Sequence, residues 1–292
     1  MASTRQLKSR IRSVKNTKQI TKAMQMVAAS KMRRTQEAAK ASAPYEKAAA
    51  ELMTYLAGQG ATDNHPLFMR RKIKNRLIIL AAADKGLAGA FNTNVFRRYL
   101  DVLQRDDANG VGNLTITIGR KASQFVSRLK DTSIIGSYED MPDHPAGTTF
   151  HAILSTACNM YTNKEIDAVT VVYVQFTNSI TQQATALRLL PAGTEILIDP
   201  SEVRNFVADA LYEPSVSEVL DAVTYRLVGS RLYQALLDSR ASEHSMRMLA
   251  MKNATDNATD LIDDLTLEMN KARQSAITQE LSEISAGVEA MK

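Results

Sequence analysis

The sequence predicts an α/β domain inserted between two long helices, one at each end of the chain, that pair as an antiparallel coiled coil. Three observations lead to this fold class. Residues 214–292 contain no further proline and only two glycines, Gly229 and Gly287, and their apolar residues recur at helical spacing. Residues 1–36 also show helical apolar spacing and contain ten basic and no acidic residues. Between the two stretches, short apolar runs alternate with helical segments, which is typical of a doubly wound α/β domain.

The N-terminal helix is predicted from residue 3 to about residue 57, with Pro44 expected to kink or interrupt it. The six-residue step from Val14 to Ile20 breaks a strict heptad, so an irregular antiparallel pair is favoured over a two-stranded zipper. Residues 256–292 carry eight acidic against three basic residues, so opposite charge is expected to fix the pairing. One apolar face is marked by Leu7, Ile11, Val14, Ile20, Met24, Val27, Ala28 and Met32. Small residues that would let the backbones approach closely are Ala28, Ala29 and Ser30 on one helix and Ala250, Ala254 and Ala258 on the other.

The basic N-terminus permits two other interpretations. Its arginine and serine content resembles a mitochondrial transit peptide, and its ten bases could bind nucleic-acid phosphates. However, the apolar face runs into the following helix without a cleavage-like break, and the segment has no aromatic residue to stack on bases. A solvated helix face that also meets acidic protein partners is preferred, and no nucleic-acid partner is expected.

After a polar linker at residues 58–65, the composition changes to that of a sheet domain. Residues 76–83 predict a buried parallel strand, and no purely apolar run exceeds Leu77–Ala83, far short of the roughly 20 residues that span a bilayer. The chain is therefore expected to be soluble or peripheral to a membrane. Further elements are predicted as a helix at 92–103, a strand at 114–118, a helix at 121–130, a strand at 133–136, a helix at 152–161, and strands at 168–176 and 184–190. The predicted domains are residues 1–60, 68–210 and 211–292.

Candidate chemistry in the sequence is sparse. Gly86 and Gly89 follow the first strand and could cradle a phosphate, but the loop lacks the full G-x-G-x-x-G pattern, and a tight turn is favoured. Cys158 has no obvious paired base and is expected to be buried and unreactive. The four histidines lack metal-ligand spacing, and no G-x-S-x-G motif occurs. No catalytic residue, cofactor or metal is expected; the alternative is a nucleotide-binding α/β enzyme or regulator with helical arms.

Six motifs, in order along essentially the whole chain, carry a resemblance to a known family. They are ITKAMQMVAASKM at 20–32, DKGLAG at 84–89, LYEP at 211–214, SEHSMRM at 242–248, AMKNATDN at 250–257 and, most strongly, NKARQSAITQEL at 270–281. Together they resemble the gamma subunits of F-type ATP synthases. Two departures matter. Lys85 and Ala88 stand where many members have arginine and cysteine, and the chloroplast-type insert with a regulatory cysteine pair is absent, so no thiol switch is expected.

This resemblance implies a Rossmann-like α/β domain between the paired terminal helices. It implies the central rotor shaft of the enzyme, which transmits rotation of the membrane c-ring to the catalytic beta subunits for ATP synthesis, or drives ion pumping in reverse. No active site of its own is implied. The implied partners are the alpha and beta subunits, the epsilon subunit and the c-ring. The expected location is peripheral, at the cytoplasmic face of a bacterial plasma membrane. The matrix side of the mitochondrial inner membrane is the alternative, because a processed mature chain would look the same.

The resemblance also implies contact residues. Polar contacts with the alpha/beta ring, or bracing of the two helices, are expected from Arg247, Arg273, Gln274, Thr278, Glu280 and Glu283. An apolar bearing surface is expected from Ile277, Leu281, Ile284 and Val288. Lys22 and Met24 are expected to face that region from the N-terminal helix, and Tyr212 and Glu213 to lie near the c-ring and epsilon.

Overall fold

The structure is a computed structural model of the 292-residue chain. It describes residues 4–58, 62, 65–130, 132–145, 147–179, 181–193, 213 and 215–290. Two compact units are present, one formed by Met1–Ala28 with Arg247–Lys292 and the other by Ala29–Met246. The described elements are α1 (Thr4–Gly58), β1 (Asn75–Ala81), α2 (Phe91–Ala108), β2 (Gly112–Ile118), α3 (Arg120–Val126), β3 (Ser133–Tyr138), α4 (Thr148–Thr162), β4 (Ala168–Phe176), β5 (Gln182–Leu190) and α5 (Val216–Ala290).

The two terminal helices are confirmed as long and continuous. The predicted interruption at Pro44 does not occur, because α1 continues through this residue to Gly58. Contacts with α5 hold α1 on both sides of the proline. The Ser42 hydroxyl donates a hydrogen bond to Gln234 Oε1 at 2.7 Å, and further along α1 Leu52 packs against the cluster of Leu220 and Leu227. These contacts offset the backbone hydrogen bond that proline removes.

The sheet of the Ala29–Met246 unit has the strand order β3-β2-β1-β4-β5. The first four strands in this order are parallel, whereas β5 is antiparallel to β4. The last strand is reversed because only residues 177–181 separate β4 from β5, and so short a connection can join only antiparallel strands. The sheet is therefore mixed, with a parallel core around β1, which is buried from Leu77 to Ala81.

Helices cover both faces of this sheet. Ile78 and Leu80 of β1 pack in a cluster with residues of α2 and α3, whereas Leu77 and Ile79 pack in a second cluster with residues of α4 and α5. The alternation follows from the two-residue repeat of a strand, which sends successive side chains to opposite faces. Thus the sheet is doubly wound, and the middle of α5 is one of its covering helices as well as a partner of α1.

Cys158 lies on α4 inside the core and is a buried, free thiol, as expected. Burial disfavours the thiolate and raises the pKa of Cys158 to about 11. We expect the native chain at pH 7.5 to resist alkylation by iodoacetamide, and the same chain in denaturant to react with one equivalent, measured by intact mass. Rapid alkylation of the native chain would contradict this assignment.

A carboxylate clasp joins α1 to α5 within the Ala29–Met246 unit. The Asp143 carboxylate accepts a hydrogen bond from Lys31 Nζ at 2.9 Å, and it lies 3.0 Å from His244 Nε2. Partial burial tends to raise the pKa of Asp143, but the hydrogen bonds from Lys31 and His244 outweigh it and hold this pKa below its ordinary value.

The lowered pKa makes the contribution of Asp143 to stability depend on pH. A carboxyl whose folded pKa lies below its unfolded value stabilises the fold above the unfolded value, near 3.8, and loses that contribution as the pH falls through the folded pKa. We expect Asp143→Asn to lower the free energy of unfolding by roughly 1 kcal/mol at pH 7. Urea titrations should show this difference shrinking below pH 4. A difference that stays constant down to pH 2 would contradict the clasp.

Candidate partner interface

The unit of Met1–Ala28 and Arg247–Lys292 is an antiparallel helix pair. Leu7 and Ile11 of α1 are buried against Leu265 of α5, and Thr21 and Thr255 are hydrogen-bonded through their hydroxyls at 2.8 Å. Moving along α1 from Leu7 to Thr21, the contacting residue on α5 moves back from Leu265 to Thr255, so the two helices are antiparallel. Partly buried residues complete the apolar cluster: Val14, Ile262, Met269 and Ala272. The predicted pairing of the terminal helices is confirmed.

Opposite charge plays a smaller part in this pairing than the sequence suggested. Among the described residues of the unit, no ion pair within 4 Å joins a base of residues 4–28 to an acid of residues 256–287. Most of the charged side chains lie on the outer faces of the two helices. Apolar side chains and small residues such as the buried Ala28 and Ala258 join the helices instead. Exposed ion pairs are worth at most about 1 kcal/mol, so the pairing does not require them.

The end of α5 extends past the last contacts with α1. Every described side chain from Arg273 to Gly287 is exposed, and we call these residues the bare segment. Ile277, Leu281 and Ile284 are 46%, 60% and 64% exposed. Their spacing of four and three residues places them in one stripe along the helix. Within the described part of the chain, no residue covers this stripe, so the bare segment presents an apolar face without an intramolecular partner.

Within the described part of the chain, the polar residues of the bare segment form hydrogen bonds only with their own helix. Gln279 Nε2 donates to Glu283 Oε1 at 3.0 Å, and the Ser282 hydroxyl donates to the carbonyl oxygen of Thr278 at 2.9 Å. Such exposed contacts four residues apart are worth a few tenths of a kcal/mol and break readily. The segment therefore combines an uncovered apolar stripe with polar groups that are free to exchange partners.

The structure places the predicted contact residues in different regions of the chain. Arg273, Gln274, Thr278, Glu280, Glu283 and Ile284 all lie exposed in the bare segment. Val288 belongs to α5, but its side chain lies outside the described residues. Tyr212 lies outside them as well, and Glu213 is exposed. Arg247 is partly buried and makes an interaction of its own.

Lys22 and Met24 were expected to face a region that includes Arg247 and the bare segment, and they lie on the Arg247 side of the Thr21–Thr255 contact rather than beside the bare segment. They follow Thr21, whose partner Thr255 lies eighteen residues before Arg273, about 27 Å along α5. The antiparallel register causes this separation, since α1 reaches the end of the pair with Leu7 and Ile11. Lys22 is exposed and Met24 is partly buried beside the middle of the pair. They form part of a second surface.

This second surface consists of Lys22 and Met24 with the exposed apolar residues Ile20, Met26 and Val27. Part of it was assigned from the sequence to the contact between the two helices. Ile20 and Val27 were assigned to the inner face of α1, yet they are 60% and 57% exposed, and Met26 is 59% exposed. The motif ITKAMQMVAASKM carries apolar residues on more than one side of the helix, so helical spacing alone does not tell which side meets α5. The signal that could have found this surface is that excess of apolar residues over what one contact stripe needs.

The loop after β1 is occupied by contacts within the chain. Asp84 Oδ1 accepts backbone N–H groups of Arg120 at 3.1 Å and Asp140 at 2.9 Å, and Asp84 Oδ2 lies 3.3 Å from Arg240 Nη2. The Asp84 carboxylate thus already accepts hydrogen bonds from the donors that a bound phosphate would need. Gly89 adopts a positive φ of 55°, which suits a tight turn. This geometry favours the turn interpretation of the loop over phosphate binding.

The described residues contain neither a candidate metal site nor a helix that could span a membrane. No cluster of three or more histidine, cysteine or acidic side chains there is arranged to hold a metal ion. None of the described helices combines the length and the apolar character needed to cross a membrane.

Comparison with known sequences gives consistent results. A family model described as ATP synthase matches residues 3–291. The chain is 41% identical over 292 residues to the ATP synthase gamma chain of Xylella fastidiosa strain M12, with all of both chains covered. It is also 41% identical over 293 residues to the ATP synthase gamma chain of Stenotrophomonas maltophilia strain R551-3, again with full coverage of both.

Solved structures show the same fold. A chain of the central stalk and c-ring structure of Tetrahymena thermophila mitochondrial ATP synthase is similar with a TM-score of 0.60 and 26% identity, covering 80% of this chain and 99% of its own. A chain of the OSCP/F1/c-ring structure of Euglena gracilis mitochondrial ATP synthase has a TM-score of 0.65 and 18% identity, covering 99% of this chain and 94% of its own.

Proposed function

Because this chain belongs to the ATP synthase gamma chain family, we propose that its role in the central stalk is that of the shaft, which carries rotation from the membrane ring to catalytic sites on other subunits. The family supplies the role in the central stalk. The observation that carries the mechanism is the bare segment, a stiff helix end with an apolar stripe that the described chain leaves uncovered.

The geometry of the helix pair suits the transmission of rotation. Buried contacts at Leu7, Ile11 and Leu265 keep the two helices together, whereas the bare segment beyond them offers small patches of apolar and polar surface. A rotating shaft must not bind the surrounding subunits much more strongly at one rotation angle than at the others, because it would then stop there. It drives a catalytic site only through the difference in its interaction energy with the conformations of that site. Exposed polar groups that exchange partners readily, together with a narrow apolar stripe, can supply such a difference.

The partners follow from the same proposal. The bare segment contacts the alpha and beta subunits, with Arg273, Gln274, Thr278, Glu280 and Glu283 as polar contacts and Ile284 and Val288 as apolar ones. The α1 surface around Lys22 and Met24 and the α5 residue Arg247 contact the same ring at a lower level. Tyr212 and Glu213 lie towards epsilon and the c-ring. The chain itself carries no catalytic site and is peripheral to the cytoplasmic face of a bacterial plasma membrane, which the bacterial relatives support.

Site-directed cross-linking tests this proposal. In a Cys158→Ala background, Leu281→Cys on the apolar stripe would carry a photoactivatable maleimide in the assembled complex. We expect it to cross-link to alpha or beta. The matched control is Ile135→Cys, an exposed position on β3, which we expect not to cross-link to either subunit. Failure of Leu281→Cys to reach alpha or beta would exclude the bare segment as the contact.

The competing function, a nucleotide-binding enzyme or regulator, makes a different prediction. Its active site would lie at the Gly86–Gly89 loop, and the isolated full-length chain would hydrolyse ATP. We expect no hydrolysis above a Gly89→Val control by the chain without alpha and beta. Turnover by the isolated chain that the control loses would overturn the shaft function.

A further inference from the structure

A cavity of about 500 Å³ in the α/β unit is lined by four arginines. It lies between the C-terminal half of α2 and the sheet face formed by β1, β4 and β5. Arg98 and Arg105 reach it from α2, and Arg76 and Arg188 from β1 and β5. Neither the sequence motifs nor the function as a shaft uses this cavity.

Among the described residues that line the cavity there is one carboxylate, Asp106, and it is paired with one of the four arginines. Asp106 lies 2.6 Å from Arg76 Nε and 3.0 Å from Arg76 Nη2. The side chains are 13% exposed for Arg76 and 5% for Asp106. Arg76 Nη1 also donates to Thr170 Oγ1 at 3.0 Å. This pair is neutral and forms the floor of the cavity.

The other three arginines are left without a close counter-charge among the described residues. Arg98 has only Asp101 at 3.9 Å, and its buried Nε has no hydrogen-bond partner there. Arg105 and Arg188 form no ion pair within 4 Å and donate no side-chain hydrogen bond to any part of the chain that the structure describes. Several like charges around one concavity create a positive potential that attracts anions. The guanidinium N–H groups of these three arginines are in addition placed to donate hydrogen bonds to an anion in the cavity.

We propose that this cavity binds the phosphate chain of a small molecule, such as pyrophosphate or a nucleoside polyphosphate. The planar guanidinium presents two parallel N–H groups that match phosphate oxygens, which is why arginine predominates where phosphates are recognised. The hydroxyl of Thr170 accepts from Arg76 and so keeps its own proton to donate. The volume lies within the range of small-molecule sites and exceeds the need of a single phosphate.

Calorimetric titration of the full-length chain tests the proposal. Pyrophosphate and ATP are titrated separately, at 100 mM salt and without divalent metal. We expect both to bind at one site. Equal affinities would assign recognition to the phosphate chain alone, and tighter binding of ATP would add contacts to the nucleoside. Arg105→Gln with Arg188→Gln should weaken binding by tenfold or more, because it removes two charged donors that would bind the phosphate oxygens.

A matched control separates a built site from general attraction to a basic protein. Arg97→Gln with Arg128→Gln removes the same charge from exposed positions of the same unit, Arg97 being the sequence neighbour of Arg98. The control should bind pyrophosphate as the unaltered chain does. The proposal is overturned if neither ligand binds at 1 mM, or if the control loses as much affinity as the cavity variant. Cross-linking of Leu281→Cys stays unchanged in the cavity variant, so this test and that of the shaft function fail independently.

Discussion

Replacing Arg240 by methionine is expected to lower the free energy of unfolding by about 3–5 kcal/mol, the largest effect of any single substitution considered. Arg240 is 11% exposed, lies 3.3 Å from Asp84 and 2.9 Å from Glu243, and donates to the carbonyl oxygen of Met141 at 2.8 Å. Burial disfavours its charged form, but the carboxylates of Glu243 and Asp84 outweigh burial and raise the pKa of Arg240. Methionine would leave two nearly buried carboxylates without their counter-charge.

Chemical denaturation of the full-length chain measures this effect, and the melting temperature should fall by roughly 10 °C. The matched control is Arg128→Met, at an exposed position, which should stay within about 0.5 kcal/mol of the unaltered chain. Adding Asp84→Asn to Arg240→Met should restore part of the loss, because one of the two stranded carboxylates becomes neutral. An Arg240→Met variant as stable as the control would show that the network contributes no net stability.

Removing the bare segment by ending the chain after Ala272 is expected to leave stability nearly unchanged and to impair function strongly. The described side chains from Arg273 to Gly287 are exposed, so their loss should cost less than about 1 kcal/mol. In the reconstituted complex, ATP-driven ion pumping should fall tenfold or more. A tenfold loss corresponds to about 1.4 kcal/mol of coupling between shaft and catalytic sites, a typical size for coupling energies.

Ion pumping by inverted vesicles and ATP hydrolysis by the same complexes should be measured together. Hydrolysis that persists while pumping falls identifies lost coupling, whereas loss of both identifies failed assembly. A shorter truncation after Val288 serves as the control, because it retains Ile277, Leu281, Ile284 and Val288, and it should keep most of the pumping. Full pumping by the chain that ends at Ala272 would contradict the assignment of the bare segment as the coupling surface.

The elements that the sequence predicted correctly are those with a strong local pattern. Residues 76–83 form an uninterrupted apolar run, and β1 occupies Asn75–Ala81 at the centre of the sheet. The absence of proline after Pro214 and the apolar repeat predicted α5 as one helix, which runs from Val216 to Ala290. Periodicity and chain breakers act within a few residues, so they can be read without knowledge of distant partners.

The candidate partner interface was predicted only in part, from motifs of adjacent residues. Arg273, Gln274, Thr278, Glu280 and Glu283 were identified by resemblance, and the structure places them on the exposed bare segment. That Lys22 and Met24 lie well away from it depends on the register of two helices that are more than two hundred residues apart in sequence. The arginine cavity was missed altogether, because its side chains come from three separate strands and α2 and form no motif along the chain.

By itself, the sequence determined the elements of this protein, the inserted α/β domain and the family to which it belongs, because these depend on local periodicity and on motifs of adjacent residues. Only the tertiary structure decided that β5 runs antiparallel to β4, that α5 also covers the sheet, and that Ile20 and Val27 face outward. It also decided that, among the described residues of the unit of Met1–Ala28 and Arg247–Lys292, apolar contacts rather than ion pairs join the two helices. Burial, register and the desolvation of charges are set by residues distant in sequence, and their free energies exist only once those residues are brought together.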